Sequence, residues 1–482
     1  IGYNRGYVID SYTSVSVNAE GVGGGFVAGN YYGILRSYSL GAARCRSFQP
    51  GGFVGQNTGL VDLCFWDIDT SGLLQSQGAE GLTTRQLKRL STYQCWGDNV
   101  WVIEDKLGYP KLMWENTAGF VIEDEPSVYG GGQGTAEDPY QIYTAEQLSA
   151  IGNCPQDLAK CYQLMNDLDL SGRVFDGIGF GFGFGGSFDG GGLTISNLTM
   201  EGMMDYTGLF CVILKEGVVK DLHLVNYQIT GKCKTGGLAG KNEGTVSHCT
   251  VHGRLTMPDD GRQRCTYGGL IGFNYGQVSG CKADVELTAA GTVTQSFGGL
   301  IGRNLGVVRQ SCSTGSIRVL SDEPSCFGGF IGYGGYHSTV YDCFSTVDIS
   351  VRSPSCTGMG GFSGRQDYRT RIERSYCSGV MDIGAESMFT HCGRFVGING
   401  HYEHGNAELI DCFWNRDAAG LEQGIGINYC DDAQPQGLEL EQLCDLTLYA
   451  ETSWSIAPEP SEGVIWVLVP DSLPRLSCLL QR

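Results

Sequence analysis

The stretch GGLIGFNYG at residues 268–276 recurs as GGLIGRNLG at residues 298–306. Two further copies of this Gly-Gly-apolar-apolar-Gly-x-Asn-x-Gly motif begin at Gly51 and Gly236, and looser copies begin at Gly24, Gly328, Gly360 and Gly393. The second glycines of five consecutive copies stand at 237, 269, 299, 329 and 361, so one repeat is 30 or 32 residues long. This period is typical of a solenoid, in which each repeat forms one rung and neighbouring rungs share a core.

Each repeat is predicted to consist of short strands. Leu270-Ile271 lies between glycines, which allow close approach of neighbouring backbones. The following Asn-x-Gly predicts a turn at positive φ, and the alternation from Ala283 to Leu287 predicts a half-buried strand. Helical periodicity is nearly absent, so we expect an all-β, right-handed parallel β-solenoid with small capping elements that contain short helices. The residues that define the motif are Gly52, Gly55, Asn57, Gly237, Gly240, Asn242, Gly269, Gly272, Asn274, Gly299, Gly302, Asn304, Gly329 and Gly332.

The 20 cysteines follow the same repeat and favour an oxidising compartment. Stacked rungs lie about 4.8 Å apart, which permits disulfides between rungs or columns; buried thiols stacked as small apolar ladders are the alternative. Cys154 and Cys161 stand outside the columns and are predicted to pair. One column follows the glycine pair and comprises Cys64, Cys249, Cys281, Cys312, Cys343, Cys377 and Cys412. The other precedes it and comprises Cys45, Cys233, Cys265, Cys326, Cys356 and Cys392.

These motifs resemble those of the GLUG-motif repeat proteins, large bacterial surface and secreted proteins. Further likeness lies in GGQGTAEDPYQIYTAEQL at 131–148, LMNDLDL at 164–170 and GSFDG at 186–190, which look like the start of a family module. CFWD at 64–67 and CFWN at 412–415, with Trp66 and Trp414, look like module ends. The resemblance covers nearly the whole chain and implies a solenoid fold, but the family mostly lacks a known activity.

Two modules are visible, because the end element occurs twice. In each, Trp, Leu and Pro are concentrated and a short helix is predicted, as at 83–90, which suits a lid over the last rung. Thr144 followed by Gln147 predicts another short helix. Because IGYNRGYV at 1–8 matches IGFNYGQV at 271–278, we expect the first module to lack its start. The predicted segments are 1–63 and 185–411 for the two solenoids, 64–114 and 412–482 for their end caps, 115–128 for a linker and 129–184 for the second module's start element.

Charge and composition exclude several classes of partner. The formal net charge is −20, which disfavours nucleic acid and anionic lipid. No apolar run reaches the roughly 18 residues of a membrane span. We therefore expect an extracellular or cell-surface protein.

No constellation of residues indicates catalysis, a metal or a cofactor. The carboxylate pairs Asp67/Asp69, Asp167/Asp169 and Asp431/Asp432 do not recur at rung spacing and look like turn and cap residues. His401 and His404 are three residues apart in a Gly-rich loop, whereas a zincin requires His-Glu-x-x-His on a helix. The run IGFGFGFGG at 178–186 predicts a strand with Phe on one face, packed in the core or exposed as a sugar-stacking platform.

The function predicted from the sequence is that of a structural or adhesive repeat protein, not an enzyme. Its partners would be further copies of itself, other surface or matrix proteins, or glycans. A carbohydrate-binding or polysaccharide-degrading solenoid is one alternative. A repeat stalk of a larger surface protease is another, since some GLUG-bearing proteins are metallopeptidases that cleave immunoglobulin A.

Overall fold

The computed structural model forms two compact units, Ile1–Ser127 and Val128–Arg482. Their boundary falls inside the segment 115–128 that was interpreted as a linker. The structure describes all residues except 94, 98–99, 123–127, 153–154, 174, 176, 202–204, 258–264, 290–294, 321–325, 353–357, 385–390, 403–406, 419, 431–433, 471 and 481–482, and it leaves the side chains of 155, 156 and 295 undescribed.

The larger unit is a parallel β-solenoid, as predicted. Leu270 N–H donates to the carbonyl of Leu300 at 2.9 Å, and Leu300 N–H donates to that of Phe330 at 3.0 Å, so equivalent repeat positions stand above one another. The strands form one sheet of 21 strands, one of eight and one of seven. Every pairing between consecutive rungs is parallel and keeps a nearly constant register, as in Ile271↔Ile301↔Ile331.

One full rung of this unit contains four strands, Cys265–Gly268, Ile271–Asn274, Gln277–Ser279 and Lys282–Ala289. The last two are separated by a corner at Gly280, whose φ of 62° turns the chain. A left-handed residue occupies this corner in most rungs, for example His248, Asp342 and Asp411.

The strands of the larger unit are listed here by sheet. The seven-stranded sheet has Tyr206–Thr207, Lys234–Gly236, Cys265–Gly268, Gln295–Gly298, Cys326–Gly328, Gly358–Gly360 and Cys392–Gly393. The eight-stranded sheet has Phe210–Ile213, Ala239–Asn242, Ile271–Asn274, Ile301–Asn304, Ile331–Gly334, Ser363–Gln366, Val396–Asn399 and Ile425–Asn428. The 21-stranded sheet has Tyr140–Ile142, Cys161–Leu164, Leu168–Asp169, Ser187–Ser196, Thr199–Glu201, Val218–Thr230, Thr245–Ser247, Thr250–Thr256, Gln277–Ser279, Lys282–Ala289, Val307–Arg309, Cys312–Val319, Thr339–Tyr341, Phe344–Ser345, Asp348–Val351, Arg371–Glu373, Tyr376–Cys377, Met381–Ile383, Glu408–Ile410, Phe413–Asn415 and Gln436–Leu438. A separate three-stranded sheet has Ile456–Ala457, Trp466–Val467 and Arg475–Leu476.

The smaller unit repeats this plan over fewer rungs. Its four parallel sheets contain Tyr3–Asn4, Val27–Asn30 and Val54–Asn57; Tyr7–Ile9, Gly33–Leu35 and Leu60–Asp62; Tyr12–Thr13, Tyr38–Ser39, Phe65–Asp67 and Glu80–Leu82; and Val17–Ala19 and Ala43–Cys45. An antiparallel sheet of Trp101–Ile103, Lys111–Leu112 and Phe120–Val121 follows.

The helices are short and lie in the start and end elements. The α-helices are Ile68–Ser71, Thr84–Leu87, Ala145–Ser149 and Leu440–Leu443, and the 3₁₀-helices are Leu90–Thr92, Met113–Glu115, Pro155–Ala159, Leu446–Glu451 and Ser477–Leu479. Thr83 with Gln86, and Thr144 with Gln147, form capping boxes. The helices predicted at 83–90 and after Thr144 are therefore confirmed, although each is shorter than expected.

The motif glycines are required because neighbouring backbones leave no room for a side chain. A Cβ on Gly269 would lie 2.2 Å from the carbonyl oxygen of Gly299, and one on Gly272 would lie 2.5 Å from the Thr235 nitrogen. Since these contacts are with backbone atoms of adjacent rungs, no side-chain rotation could relieve them.

The motif asparagines form buried ladders. Asn242 Nδ2 donates to Asn274 Oδ1 at 2.8 Å, and Asn274 Nδ2 donates to Asn304 Oδ1 at 2.7 Å. Asn274 also accepts from the Gly276 N–H and donates to the Gly276 carbonyl. The positive φ predicted for Asn-x-Gly is wrong, because neither Asn274 nor Gly276 adopts it. These residues are selected because the amide satisfies the backbone of the turn and a Cβ on Gly276 would lie 2.1 Å from the carbonyl of Gly244.

Aromatic side chains also stack from rung to rung in the interior. Phe297 lies parallel to Phe327 with ring centroids 5.1 Å apart, and Phe362 lies parallel to Phe395 at 4.9 Å. The run at 178–186 differs from its prediction, because Gly179, Gly181 and Gly183 all have positive φ and the segment turns instead of forming a strand. Phe184 is consequently buried, whereas Phe180 is 42% exposed.

The predicted cysteine columns are each divided among neighbouring columns. Register places Lys282 beside Cys312 and Cys312 beside Phe344, so Cys281 and Cys343 are level with Ser311, not with Cys312. The corner column therefore runs through Cys249, Cys281, Ser311, Cys343, Ser375 and Cys412. Cys377 lies two positions further along, beside Ser345. The second predicted column drifts similarly: Cys265 pairs with Gln295, Cys326 with Ser296, and Cys392 with Met359, while Cys356 lies outside the described residues.

Disulfides predicted for the first column are not formed. Cys64, Cys249, Cys281, Cys312, Cys343, Cys377 and Cys412 are all free thiols. In the corner column a serine, Ser311 or Ser375, occupies the rung between two cysteines. The Cα atoms of those cysteines are therefore two rungs, or about 10 Å, apart, which exceeds the limit of about 7 Å for a disulfide. Cys249 and Cys281 do follow one another, but the Cys281 thiol donates to the Ser279 carbonyl at 3.3 Å. Cys161 is also a free thiol, and Cys154 lies outside the described residues, so their predicted bridge is not seen.

Buried thiols should resist alkylation and make the fold sensitive to alkali. Burial raises the pKa of Cys312 and Cys377 to about 12. Because an unfolded thiol has a pKa of about 8.5, this contribution to stability is complete below that pH and is lost as pH rises toward 12. At pH 8.5, iodoacetamide should modify the half-buried Cys45 and Cys161 while sparing Cys312 and Cys377, as measured by peptide mass mapping. Equal labelling of all four would contradict the burial.

Each end element packs along the flank of several rungs, where a lid over the last rung was expected. In the larger unit, Trp466 Nε1 donates to Asp342 Oδ1 at 3.2 Å, and Trp454 Nε1 donates to the Asp411 carbonyl at 2.9 Å. In the smaller unit, Trp101 Nε1 donates to Asp10 Oδ1 at 3.0 Å and Trp96 Nε1 to the Leu63 carbonyl at 3.0 Å. The acceptors all lie at rung corners. We call this arrangement the flank clamp.

Trp66 and Trp414 of the predicted module ends close the main interior. Trp66 is level with Gly81 and Trp414 with Gly437 of the following parallel strand. Each indole covers its glycine so closely that a Cβ on Gly437 would lie 2.3 Å from the Trp414 ring. In each unit an indole thus covers the end strand of its sheet, while the flank clamp covers the side.

The buried ion pair of the flank clamp should be important for stability. Asp342 has a side chain only 1% exposed and accepts from Arg374 at 2.7 Å as well as from Trp466. Asp342→Ala removes the acceptor of Trp466 Nε1 and leaves Arg374 with its contact to Glu373 at 2.8 Å, so it should lower the free energy of unfolding by about 2 kcal/mol. Asp382→Ala removes an ion pair of 2.6 Å with Arg352 whose side chains are 56% and 49% exposed, and it should leave the urea midpoint almost unchanged. Similar urea midpoints for the two variants would contradict the assignment.

Candidate binding face

The eight-stranded sheet carries an unusual column of outward-facing residues at the x of Gly-x-Asn. Register aligns Lys241, Phe273, Arg303, Tyr333 and Arg365 on five consecutive rungs. The next residue of each strand faces inward and is either a member of the Asn ladder or the residue that takes its place, Gly334 or Gln366. We call these five residues the cation–aromatic column, because cations and aromatic rings alternate along it.

The guanidinium groups of this column lie against aromatic rings. Arg303 Cζ is 5.3 Å from the ring centroid of Phe273 and 4.8 Å from that of Tyr333. Arg365, on the rung that follows Tyr333, has its Cζ 5.8 Å from the centroid of the Tyr333 ring. Such contacts favour a cation at each of these positions and restrict the rotation of the guanidinium.

Arg303 and Arg365 have no carboxylate partner among the described residues. Both side chains are half-buried, and the Nε of each is buried without a hydrogen-bond partner. By contrast, Lys241 is 2.5 Å from Glu243. Many other cations of this unit are paired, including Arg254 with Glu286, Arg352 with Asp382, Arg374 with Asp342, and Arg416 with Glu439. Two partly desolvated, unneutralised charges in a chain of net charge −20 indicate a site for an anion.

Tyr333 lies between the two arginines, and both guanidinium groups contact its ring. Its hydroxyl donates to Asp367 Oδ2. Burial raises the pKa of Tyr333, the Asp367 carboxylate raises it further, and Arg365 and Arg303 act in the opposite direction. The phenol therefore stays neutral and serves as a stacking surface with a polar edge.

A second row of aromatic residues flanks the column at the turns. Tyr275 and Tyr336 are 46% and 47% exposed. Tyr336 stacks on Tyr368 with ring centroids 5.4 Å apart, and Arg369 Cζ lies 4.9 Å from the Tyr368 centroid. The face thus combines exposed rings with positive charge over several rungs.

A polar groove of about 430 Å³ lies on the 21-stranded sheet. Asp284 and Glu286 stand two residues apart on one strand and therefore share a face. Arg254 pairs with Glu286 at 2.6 Å, and His252 lies 4.0 Å from Asp284. The Glu286 side chain is 64% exposed and the Asp284 side chain 42% exposed, so these contacts are surface ion pairs of small energy.

The carboxylates singled out in the sequence have structural positions. Asp67 accepts from the N–H groups of Asp69 and Thr70 and caps the helix Ile68–Ser71. Asp169 accepts from the Ser171 N–H at 2.9 Å. The prediction of turn and cap residues is confirmed for Asp67 and Asp169, whereas Asp167 accepts from the Thr194 N–H of another strand at 2.7 Å and so joins two segments instead of capping a turn. Asp431, Asp432 and His404 lie outside the described residues.

The described residues hold neither a metal-binding cluster nor a membrane-spanning helix. They contain no group of three or more His, Cys, Asp or Glu side chains that could hold a metal ion. None of their helices is long and apolar enough to cross a membrane.

Sequence reasoning missed the cation–aromatic column, although a signal was available. When the repeats are aligned on Gly-x-Asn, the successive x positions are Lys, Phe, Arg, Tyr and Arg. This alignment requires Gly334 and Gln366 to stand in place of Asn in the last two repeats. The predicted motif residues Gly240, Gly272, Gly302 and Gly332 precede four of the five members and position them. Only the structure shows that Arg303 and Arg365 form no ion pair with a carboxylate of the described residues.

Comparisons with known proteins give partial matches. No protein-family model matches the chain. Halomucin from Haloquadratum walsbyi is 34% identical over 139 residues, which cover 26% of this chain and 2% of Halomucin. A protein of Evansella cellulosilytica provisionally named Gly-rich membrane protein is 31% identical over 142 residues, covering 27% of this chain and 16% of that protein. This chain therefore spans less than a fifth of either curated relative.

Among solved structures, one from Bacteroides ovatus, provisionally named an immunoglobulin A1 protease, aligns with 73% of this chain and 95% of its own. The sequence identity is 18% and the TM-score is 0.41.

Proposed function

We propose that this chain is a rigid scaffold of a cell-surface or extracellular protein and that it binds ligands through the cation–aromatic column without catalysing a reaction. The observation that carries the proposal is the pair of unneutralised guanidiniums, Arg303 and Arg365, held in one column by a continuous stack of rungs. An array fixed by backbone ladders suits the display of repeated binding groups.

The solenoid interior supports the scaffold role. Asparagine ladders and stacked rings connect each rung to the next, so bending the stack would break buried hydrogen bonds. We also propose that the chain is a GLUG-motif repeat protein, on the strength of the motifs quoted above.

The names of the relatives are compatible with this location. The protein of Evansella cellulosilytica carries membrane protein in its name.

Surface location can be tested on intact cells of the organism that makes the chain. Antibodies against the 128–482 unit should label intact cells or the surrounding matrix, and brief external proteolysis should remove the signal. An antibody against a cytoplasmic protein, which should label only permeabilised cells, is the control. Labelling that needs permeabilisation would overturn the proposal.

The polar groove offers a second candidate, polysaccharide cleavage by Asp284 and Glu286. The observation in its favour is that both carboxylates share one strand face within the groove. If the groove were catalytic, the chain would release reducing sugar from a polysaccharide panel and Asp284→Asn/Glu286→Gln would abolish the release. We expect no release from either protein, which would leave the binding role.

A further inference from the structure

We propose that the cation–aromatic column binds a linear acidic polysaccharide that lies along the stacking direction and carries one carboxylate on every second sugar. This inference rests on the binding role proposed above and names its ligand. It starts from the positions of Arg303 and Arg365, which are separated by one intervening rung that carries Tyr333.

The spacing of the charges selects a repeating ligand. Neighbouring rungs lie about 4.8 Å apart, so Arg303 and Arg365 recur at about 10 Å along the column. Two consecutive pyranoses of an extended polysaccharide cover a similar length. A polymer with one acidic group per disaccharide therefore presents its charges in phase with the arginines.

The chemistry of the side chains selects a carboxylate on a sugar. A guanidinium held between rings, as Arg303 is between Phe273 and Tyr333, offers N–H groups that bind a carboxylate in a bidentate manner. The exposed rings of Tyr275 and Tyr336 beside the column supply flat apolar surface for the C–H faces of the sugars.

Other anionic polymers fit less well. Single-stranded nucleic acid carries a phosphate on every nucleotide and would be repelled by the overall charge of −20. A second copy of this chain carries the same net charge of −20, which opposes association between copies. The acidic polysaccharide satisfies the spacing, and because it carries a charge only on every second sugar, the net charge of −20 opposes it less than it opposes nucleic acid.

The test uses the full chain with hyaluronan, which has a carboxylate on every second sugar, polygalacturonate, which has one on every sugar, and neutral hydroxyethyl cellulose. Binding is measured by biolayer interferometry at low salt and at physiological salt. We expect hyaluronan to bind more tightly than polygalacturonate, hydroxyethyl cellulose not to bind, and salt to weaken the complex.

Arg303→Gln/Arg365→Gln should weaken hyaluronan binding about 100-fold, because two charge-assisted bidentate contacts are removed. Arg309→Gln/Arg318→Gln is the matched control. It makes the same change in net charge at two exposed arginines of the 21-stranded sheet and should alter affinity less than about twofold. Arg303→Lys/Arg365→Lys keeps the charge and should still lose about 10-fold, since lysine cannot form the bidentate contact. Circular dichroism and urea midpoints verify the fold of each variant.

Four outcomes would overturn the inference. They are equal losses in the matched control, polygalacturonate binding as tightly as hyaluronan, no binding to either acidic polymer, and a change of sedimentation coefficient caused by Arg303→Gln/Arg365→Gln, which would assign the column to contact between copies. None of these bears on the labelling of intact cells, so failure of the ligand and failure of the surface role are distinguishable.

Discussion

Gly269→Ala is expected to prevent the 128–482 unit from folding stably. The added methyl would lie 2.2 Å from the Gly299 carbonyl oxygen and 3.1 Å from the Cβ atoms of Ala283 and Val285. The nearest atom belongs to the backbone of the next rung, so relief requires that two rungs separate and give up ladder hydrogen bonds. We expect a loss of about 4 kcal/mol or more in the free energy of unfolding, measured by urea unfolding followed by circular dichroism.

Gly185→Ala is the matched control. A Cβ on Gly185 would meet its nearest atom, Leu214 Cδ1, at 3.6 Å, which is ordinary van der Waals contact, and the φ of this glycine is not positive. The control should change the urea midpoint little. If Gly269→Ala unfolded at the same midpoint as Gly185→Ala, the close approach of the backbones would be refuted.

Asn274→Ala should have the second largest effect. The Asn274 amide makes two ladder bonds, with Asn242 and Asn304, and two bonds to Gly276 of its own turn. Alanine leaves the Asn242 donor, the Asn304 acceptor and the Gly276 backbone groups buried without these partners. Buried polar groups left unpaired cost about 1–3 kcal/mol each, so we expect a loss of about 4 kcal/mol after partial relaxation.

The control for the ladder is Gln228→Ala, which removes an exposed amide from a strand of the same unit. It should shift the thermal midpoint only slightly. Asn274→Asp keeps the shape but cannot donate to Asn304, and it should destabilise nearly as much as alanine. An unaltered midpoint for Asn274→Asp would show that hydrogen bonds along the ladder are unimportant.

The spacing of the glycines predicted the stacked rungs, because each motif glycine of the larger unit lies where the backbone of an adjacent rung leaves no room for a Cβ, and this contact recurs once per rung. The cysteine columns failed for a related reason. The corner residues Cys281 and Ser311 each follow the second motif glycine by 12 residues, whereas Cys343 follows Gly329 by 14, and Cys312 lies one residue beyond its corner. The turn between the motif and the corner is longer in some rungs, so counting from the glycines does not preserve register at the corner. Hydroxyl and thiol groups are also interchangeable there: Ser311 Oγ donates to the Arg309 carbonyl as Cys281 does to that of Ser279.

The candidate site was less accessible to sequence reasoning. Which residues occupy the x of Gly-x-Asn can be read from aligned repeats. Whether a cation there is neutralised depends on the rungs above and below, as the contrast between Arg303 and Arg254 shows, because Arg254 meets Glu286 on the adjacent rung. Pairing across rungs joins residues about 30 positions apart, and the exact interval depends on the length of the turns between the strands, which varies from rung to rung.

The flank clamp has a consequence for how such proteins can change length during evolution. Its indoles hold the corners at Asp342 and Asp411, and Cys478 reaches the Gln310 carbonyl at 3.6 Å. A rung gained by gene duplication before Gln310 would leave every one of these distances intact. A rung gained between Gln310 and Asp411 would displace at least one anchor. Natural variation in the number of coils should therefore accumulate on the N-terminal side of the clamp.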